Sequence, residues 1–405
     1  MKKNKYINGI LPTILINFSI GTVYSWTMFK EAIVDYAGFN MSIVEWCFSL
    51  AIFVLGMAAA FGGKIVERNV KVANFITFVM VTLGWAVAGM GIQMRNPVVT
   101  VLGFGVIQGI GIGFGYLTPV KTLMVWMDKN KGFAAGLAIA GFALAGIIAN
   151  PVIAFLLERY VVYKVFYILA GMFGVFIFLS FLLIHRPKAI ETRAEFQRTF
   201  KIREIVFTKK FILLWTAFFL MIACGLALIS QERQVYHILG VSSITLIVLY
   251  VSVSAVLNLI GRLAMASLQD KQRRKHLPFY FVVIFSLTVC FIAGFMADML
   301  PATLLMMWMV NFFFGAAFSC LPNILHQNYG FNQLATVHGL LLSAWAVAGL
   351  AGNQFAAYIM SNYSLGVLYY WLGIFYAIAL VILLVWSKTS LKKSNMLVNM
   401  DNVGE

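Results

Sequence analysis

The sequence predicts an all-α membrane protein, with twelve transmembrane helices in two pseudo-symmetric six-helix bundles. Three observations predict it. Apolar residues make up 62% of the 405 residues and charged residues 11%, where a soluble domain carries about 25% charge. Twelve stretches reach the roughly 20 apolar residues that a spanning helix needs. The two halves also echo each other at a single offset of 203 residues.

The stretches run over residues 7–29, 44–65, 72–94, 98–126, 133–157 and 163–184, then 211–230, 241–265, 277–296, 303–325, 337–360 and 365–386. β-Barrel strands would alternate polar and apolar residues, and these runs do not. The first follows Met1-Lys2-Lys3-Asn4-Lys5, a start like that of a signal peptide. It is too long for a signal core and shows no small-residue cleavage site, so it is read as a permanent span. The fourth carries Gly103, Gly105, Gly109, Gly111, Gly113 and Gly115. No strand precedes these glycines, which excludes a phosphate loop. Gly105, Gly109 and Gly113 share one helix face, where small residues admit a neighbouring helix or ease bending. The fifth and eleventh spans repeat the device with Gly136, Ala140, Gly141, Ala145 and Gly146 against Gly339, Gly349 and Gly352. Pro187 ends the sixth helix and opens the longest polar stretch. The expected organisation is a bundle at 1–185, a linker at 186–208, a bundle at 209–388 and a polar, disordered tail at 389–405. Within the linker, residues 191–200 fit a short amphipathic helix on the membrane surface.

The repeat is specific. Gly63-x-x-x-Glu67-Arg68 returns as Ala266-x-x-x-Asp270-Lys271, and Pro119 returns as Pro322. Residues 136–150 match 339–353 at six of 15 positions. Two similar halves can rock about a site between them, the geometry of a secondary transporter.

The net charge of +16 is not spread as nucleic-acid binding requires. Segments on the side of the N-terminus hold 23 Lys and Arg, and the opposite loops hold five: Lys30, Arg95, Arg159, Lys164 and Arg233. This positive-inside bias places both termini in the cytoplasm and turns the basic excess toward anionic lipid. Cys47, Cys224, Cys290 and Cys320 have no paired spacing, and the five histidines form no ligand cluster. Neither a disulfide framework nor a metal or other cofactor is expected.

Ionisable residues inside spans carry the chemistry, because they are expensive there. Arg262 sits two turns before Asp270, and Ser254, Asn258 and Arg262 share one face at i, i+4 and i+8. That stripe is read as lining a water-filled cavity in which the guanidinium grips a carboxylate by two hydrogen bonds. The other reading is an arginine that snorkels or pairs with Asp270. Lys121, near the inner end of the fourth span, either snorkels or attracts anions. Asp35, Glu45, Glu158, Glu232 and Asp298 fall at outer ends or loops, so no acid is expected inside a span. Two cations without a buried acid favour an anionic substrate. Gln108 and Asn311, again 203 apart, are amides that meet either a ligand or another helix. The loops Glu67-Arg68-x-x-Lys71 and Asp270-Lys271-x-x-Arg274 set an acid beside two basic residues at a helix end. Such groups can link neighbouring helix termini and lock the cytoplasmic side shut by turns.

That loop spacing resembles the signature of the major facilitator superfamily, carried there after the second and eighth helices. Gly21-Thr22-Val23-Tyr24-Ser25-Trp26, Trp126-Met127-Asp128-Lys129-Asn130-Lys131-Gly132 and Gly261-Arg262 resemble its oxalate/formate antiporter and monocarboxylate transporter branch. The resemblance implies the major facilitator fold and transport of small carboxylates. It implies that Arg262 holds the substrate carboxylate and that Tyr24 and Tyr116 line the cavity. Oxalate exchangers of that branch carry a lysine in the eleventh helix, where Trp345 stands here. One arginine suits a monocarboxylate such as lactate, pyruvate or formate better than oxalate. The offset pairs Trp345 with Phe142, and both rings either border the cavity or simply pack.

The expected function is alternating-access transport of a small organic anion across a bacterial inner membrane, by a monomer, with protons or a counter-anion as partner. The alternatives are an oxalate/formate-type exchanger, a facilitator of another organic solute, and a carboxylate sensor that transports nothing. No span offers a nucleophile–base pair, so an enzyme is not expected.

Overall fold

Twelve helices long and apolar enough to cross a membrane run through the computed structural model, which describes residues 6–185 and 201–401. The first half comprises α1 (Tyr6–Met28), α2 (Met41–Arg68), α3 (Val70–Gln93), α4 (Pro97–Trp126), α5 (Asp128–Arg159) and α6 (Val162–Leu183). The second comprises α7 (Lys209–Ile238), α8 (Thr245–Lys271), α9 (Leu277–Phe295), α10 (Leu300–Tyr329), α11 (Leu334–Asn362) and α12 (Leu365–Thr389). A helix satisfies its backbone within one segment, which lipid demands. No strand occurs among the described residues.

Polar residues start several helices. The side chains of Asn40, Asn69, Asn96 and Thr208 accept from the N–H groups of Ser42, Lys71, Val98 and Phe211, occupying donors that a helix start leaves open. Two helices are irregular. α1 begins with a π turn at Tyr6–Ile10 and ends in a 3₁₀ segment, Thr22–Met28, that carries Tyr24. α4 contains a π segment, Val101–Gln108, and Pro119.

Three boundaries differ from expectation. α7 runs past Ser230 to Ile238. The string Gln231-Glu232-Arg233-Gln234 reads as a loop by hydropathy, yet helical periodicity turns Glu232 inward and leaves Arg233 and Gln234 exposed. α8 reaches Lys271. The last helix continues to Asp401, where a disordered tail was expected. Residues 186–200, which include the expected surface helix, lie outside the described residues; beyond them Ile202–Val206 is helical.

Small residues set the helix distances. A Cβ at Gly109 would lie 3.0 Å from the Ala51 carbonyl oxygen, and one at Gly113 would lie 2.5 Å from that of Leu55. This face of α4 therefore packs backbone to backbone on α2. The halves meet along two seams, α2 with α11 and α5 with α8. A Cβ on Gly339 would strike the Ala59 carbonyl, and one on Gly136 would lie 2.6 Å from Ala266 Cβ. These two glycines are repeat partners, so the duplication marks both seams.

Candidate substrate site and its closure

Arg262 is the centre of the site. Its helix, α8, faces α5 across a seam, and the side chain is 3% exposed. Nε donates to Asn258 Oδ1 at 2.8 Å, and Nη1 donates to the Ile139 carbonyl of the other half at 3.0 Å. The guanidinium lies 5.8 Å from the Phe318 ring centroid. Among the described residues no carboxylate pairs with it. Arg262 therefore neither faces lipid nor pairs with Asp270.

Aromatic rings from both halves surround it. Tyr24 packs on Phe142 at 5.4 Å between centroids, Tyr116 on Phe142 at 5.6 Å and Tyr116 on Trp345 at 5.5 Å. Trp345 meets Phe142 at 6.2 Å and Phe318 at 4.9 Å. Buried and without a hydrogen-bond partner are Tyr116 Oη, Trp345 Nε1 and His338 Nε2; His338 sits 6.0 Å from Tyr116. Unpaired polar atoms in a dry interior are costly, and three of them beside an unpaired cation make a site able to receive a polar anion.

Tyr24, Tyr116, Trp345 and Asn258 thus gather with Arg262. Other expected members do not. Ser254 turns to Glu232 rather than along the stripe. Asn311 donates to Met307 of its own helix at 3.0 Å. Gln108 is buried with both amide atoms unpartnered, and it packs closely on Gly84 of α3. Lys121 neither snorkels nor joins the ring cluster: it forms an ion pair with Glu67. That pair joins residues far apart in the chain, which no spacing reveals. His338 and Phe318 were missed, since an isolated ring in an apolar helix gives no distinctive pattern.

Glu232, expected at an outer end or loop, lies in the last two turns of α7 and is buried. Glu232 is 5% exposed within α7, where Oε1 accepts from Tyr236 Oη at 2.8 Å and from Ser254 Oγ.

The two loop acids close the basic end. α5 and α11 lack side-chain caps of their own. Asp270 accepts from the N–H groups of Gly132 and Phe133 at 2.8 and 2.7 Å, and Glu67 accepts from those of Ala335 and Thr336 at 2.6 and 3.3 Å. Each half thus caps a helix of the other, where the positive end of the helix dipole favours an acid. Arg68, Lys71, Lys271 and Arg274 are exposed and take no part in an ion pair among the described residues. The links between the halves made by these two acids are therefore to backbone N–H groups at helix starts. Among the described residues, hydrogen bonds between the halves all lie between Arg262 and the basic end.

Twelve helices able to span a membrane, in two halves joined along duplicated seams, mark an integral membrane protein of the transporter class. The chain belongs to the Major Facilitator Superfamily, whose family model matches residues 10–353; its members are transporters, not enzymes. It is 24% identical over 368 residues to the oxalate:formate antiporter of Oxalobacter formigenes, covering 89% of this chain and 86% of that one. It is also 24% identical over 351 residues to the uncharacterized MFS-type transporter YhjX of Escherichia coli (strain K12), covering 84% and 85%. The fold matches that of the proton:xylose symporter XylE, with a TM-score of 0.75 at 14% identity over 92% of this chain and 94% of that one.

Proposed function

We propose that the chain carries a small monocarboxylate, such as lactate, pyruvate or formate, across a bacterial inner membrane by alternating access. One observation carries the reading: a buried guanidinium that pairs with no acid among the described residues, near unpartnered polar atoms from both halves. Arg262 grips the carboxylate, and Asn258 and the Ile139 carbonyl aim the guanidinium. Tyr24 and Tyr116 donate hydrogen bonds, and Trp345 bounds the apolar side. A single cation matches a single carboxylate. The likeness to an oxalate:formate antiporter supports a small carboxylate as cargo. It also favours a second reading, anion exchange, in which a counter-anion returns through the same site.

The basic loops face the cytoplasm in this reading, with both termini there. The arrangement is then the state closed to the cytoplasm, and the chain works as a monomer in lipid. Affinity is modest, because cargo must leave; a millimolar dissociation constant corresponds to about −4 kcal/mol.

Counterflow in proteoliposomes tests this with labelled lactate, pyruvate, formate and oxalate. The monocarboxylates should exchange, and oxalate should compete poorly. Arg262→Lys keeps the charge but loses the planar fork and its two anchors, so counterflow should fall at least about tenfold, a loss of roughly 1.4 kcal/mol. Wild-type exchange by a correctly inserted Arg262→Lys protein would remove the arginine grip. Binding without flux would make the chain a sensor.

A further inference from the structure

Glu232 stands outside the ring cluster and has no role in gripping cargo. It is an acid buried inside one half, with no Lys, Arg or His paired to it among the described residues. Its neighbours Arg233 and His237 on α7 are exposed and point away. Two hydroxyl groups converge on its Oε1, one from Tyr236 one turn on and one from Ser254 of α8. Tyr236 packs on Tyr250 of α8 at 5.4 Å, and Tyr369 of α12 lies close to the same phenol. The part of α11 beside this region, from Trp345 to Asn362, has Tyr358 as its one titratable residue, and that side chain is 59% exposed. The matching half of α10, from Leu300 to Gly315, has none. So the groups facing the carboxyl are phenols and a hydroxyl, with no fixed cation.

The position links this acid to the site. Ser254 is one helical turn from Asn258, and Asn258 holds Arg262 Nε. Hydroxyl, amide and guanidinium therefore follow one another along a single face of α8, and the acid of α7 bonds to the hydroxyl at the head of that row. Ionisable groups inside a membrane bundle are expensive and mark ion and proton routes.

We propose that Glu232 is a proton-binding site that couples transport to the proton gradient, so that the carboxylate moves together with a proton; this rests on the carboxylate reading above. The step is a proton transfer without electron movement. Uptake forms one O–H bond on a Glu232 carboxyl oxygen and breaks one on a hydronium ion from the acidic side, which leaves as water. Release breaks that bond as the carboxyl donates to the Ser254 hydroxyl, which passes one proton to water at the site. With the carboxyl neutral, Oε1 holds the Ser254 O–H more weakly, and that hydroxyl turns along the face toward Asn258. The acid thereby reports its protonation to the residue that aims Arg262.

The test uses the full chain in proteoliposomes with labelled pyruvate and lactate. Glu232→Gln keeps the shape of the acid and an acceptor for both hydroxyls but cannot cycle a proton. Its counterflow at equal pH should stay within about twofold of wild type, while accumulation driven by an outward-acid pH gradient should fall at least about tenfold. Wild-type accumulation by Glu232→Gln overturns the proposal. If Glu232→Gln loses counterflow as well, Glu232→Asp decides: return of gradient-driven accumulation supports the proposal, and return of counterflow alone overturns it. The carboxyl infrared band of detergent-solubilised protein gives a readout free of substrate. A band that titrates in wild type and is missing in Glu232→Gln supports the proton site even if no tested acid is carried, a result that would sink the substrate reading alone. Identical titrations in the two proteins overturn the site.

Discussion

The two seams between the halves follow one plan but are closed by different chemistry. At the α2–α11 seam, Glu67 caps α11 and also pairs with Lys121, whose side chain is 8% exposed. At the α5–α8 seam, Asp270 caps α5 and its carboxylate has no ion pair among the described residues, with the amide of Asn323 at 3.5 Å. The duplication has kept what the closure requires, an acid aimed at an uncapped helix start and a small residue where the backbones meet. It has let the group behind the acid diverge. Opening either seam uncovers four helix N–H groups to water. Opening the first also parts Lys121 from the Asn332 carbonyl of the other half and brings water to its pair with Glu67. Closure of the basic end should therefore depend unequally on the two acids.

Glu67→Gln is the largest expected break. It leaves the Lys121 charge buried without a carboxylate, and losing one partner of a buried pair costs about 3 kcal/mol. That shifts the balance toward the open basic end by roughly a hundredfold. Distances between spin labels at Lys71 and Arg274 would read it, because both side chains are exposed and take no part in the closure. Adding Lys121→Met should return most of the closed population, since no unpaired charge then remains. An open fraction unchanged by Glu67→Gln would show that the pair contributes nothing to closure.

Asp270→Asn should have a smaller effect. The amide oxygen still accepts from the α5 N–H groups, so what is lost is the full charge at a helix start, about 1 kcal/mol. The same labels should show a shift of roughly fivefold. Equal shifts for the two variants would end the distinction between the seams.

Most of the frame was legible in the sequence, because lipid imposes length and apolarity one helix at a time. The acids Glu67 and Asp270 and the lone Arg262 were legible for a related reason: a charge at or inside a span stands out against an apolar background. Glu232 was hidden because its neighbours are polar. Gln231, Arg233 and Gln234 pulled the hydropathy down, and the inward position of one residue among them is a matter of helical phase. The Lys121–Glu67 pair and the meeting of Tyr116, Trp345 and His338 were hidden because they join different helices, a property of packing that no local spacing encodes. Arg68 and Lys271 adjoin the acids in sequence, yet the acids bond to backbone N–H groups of the opposite half, and which helix starts they reach is again a matter of packing.

The smallest expected effect concerns how far each seam extends. Gly349 of α11 and Gly146 of α5 are repeat partners, yet a Cβ on Gly349 would lie 2.7 Å from Ile52 Cγ2 of α2, whereas one on Gly146 would meet nothing within 4 Å. The α2–α11 seam is thus still tight at a level where the Gly146 face of α5 meets no other helix. Gly349→Ala must push a β-branched side chain or separate two backbones, and overpacking of that kind costs about 1 kcal/mol. Gly146→Ala has room, and alanine is the better helix former by nearly 1 kcal/mol, so its thermal midpoint in detergent should equal or slightly exceed that of wild type. A loss of stability in Gly146→Ala would mean that α5 closes on its neighbours at this level, and the two seams would then be of equal length.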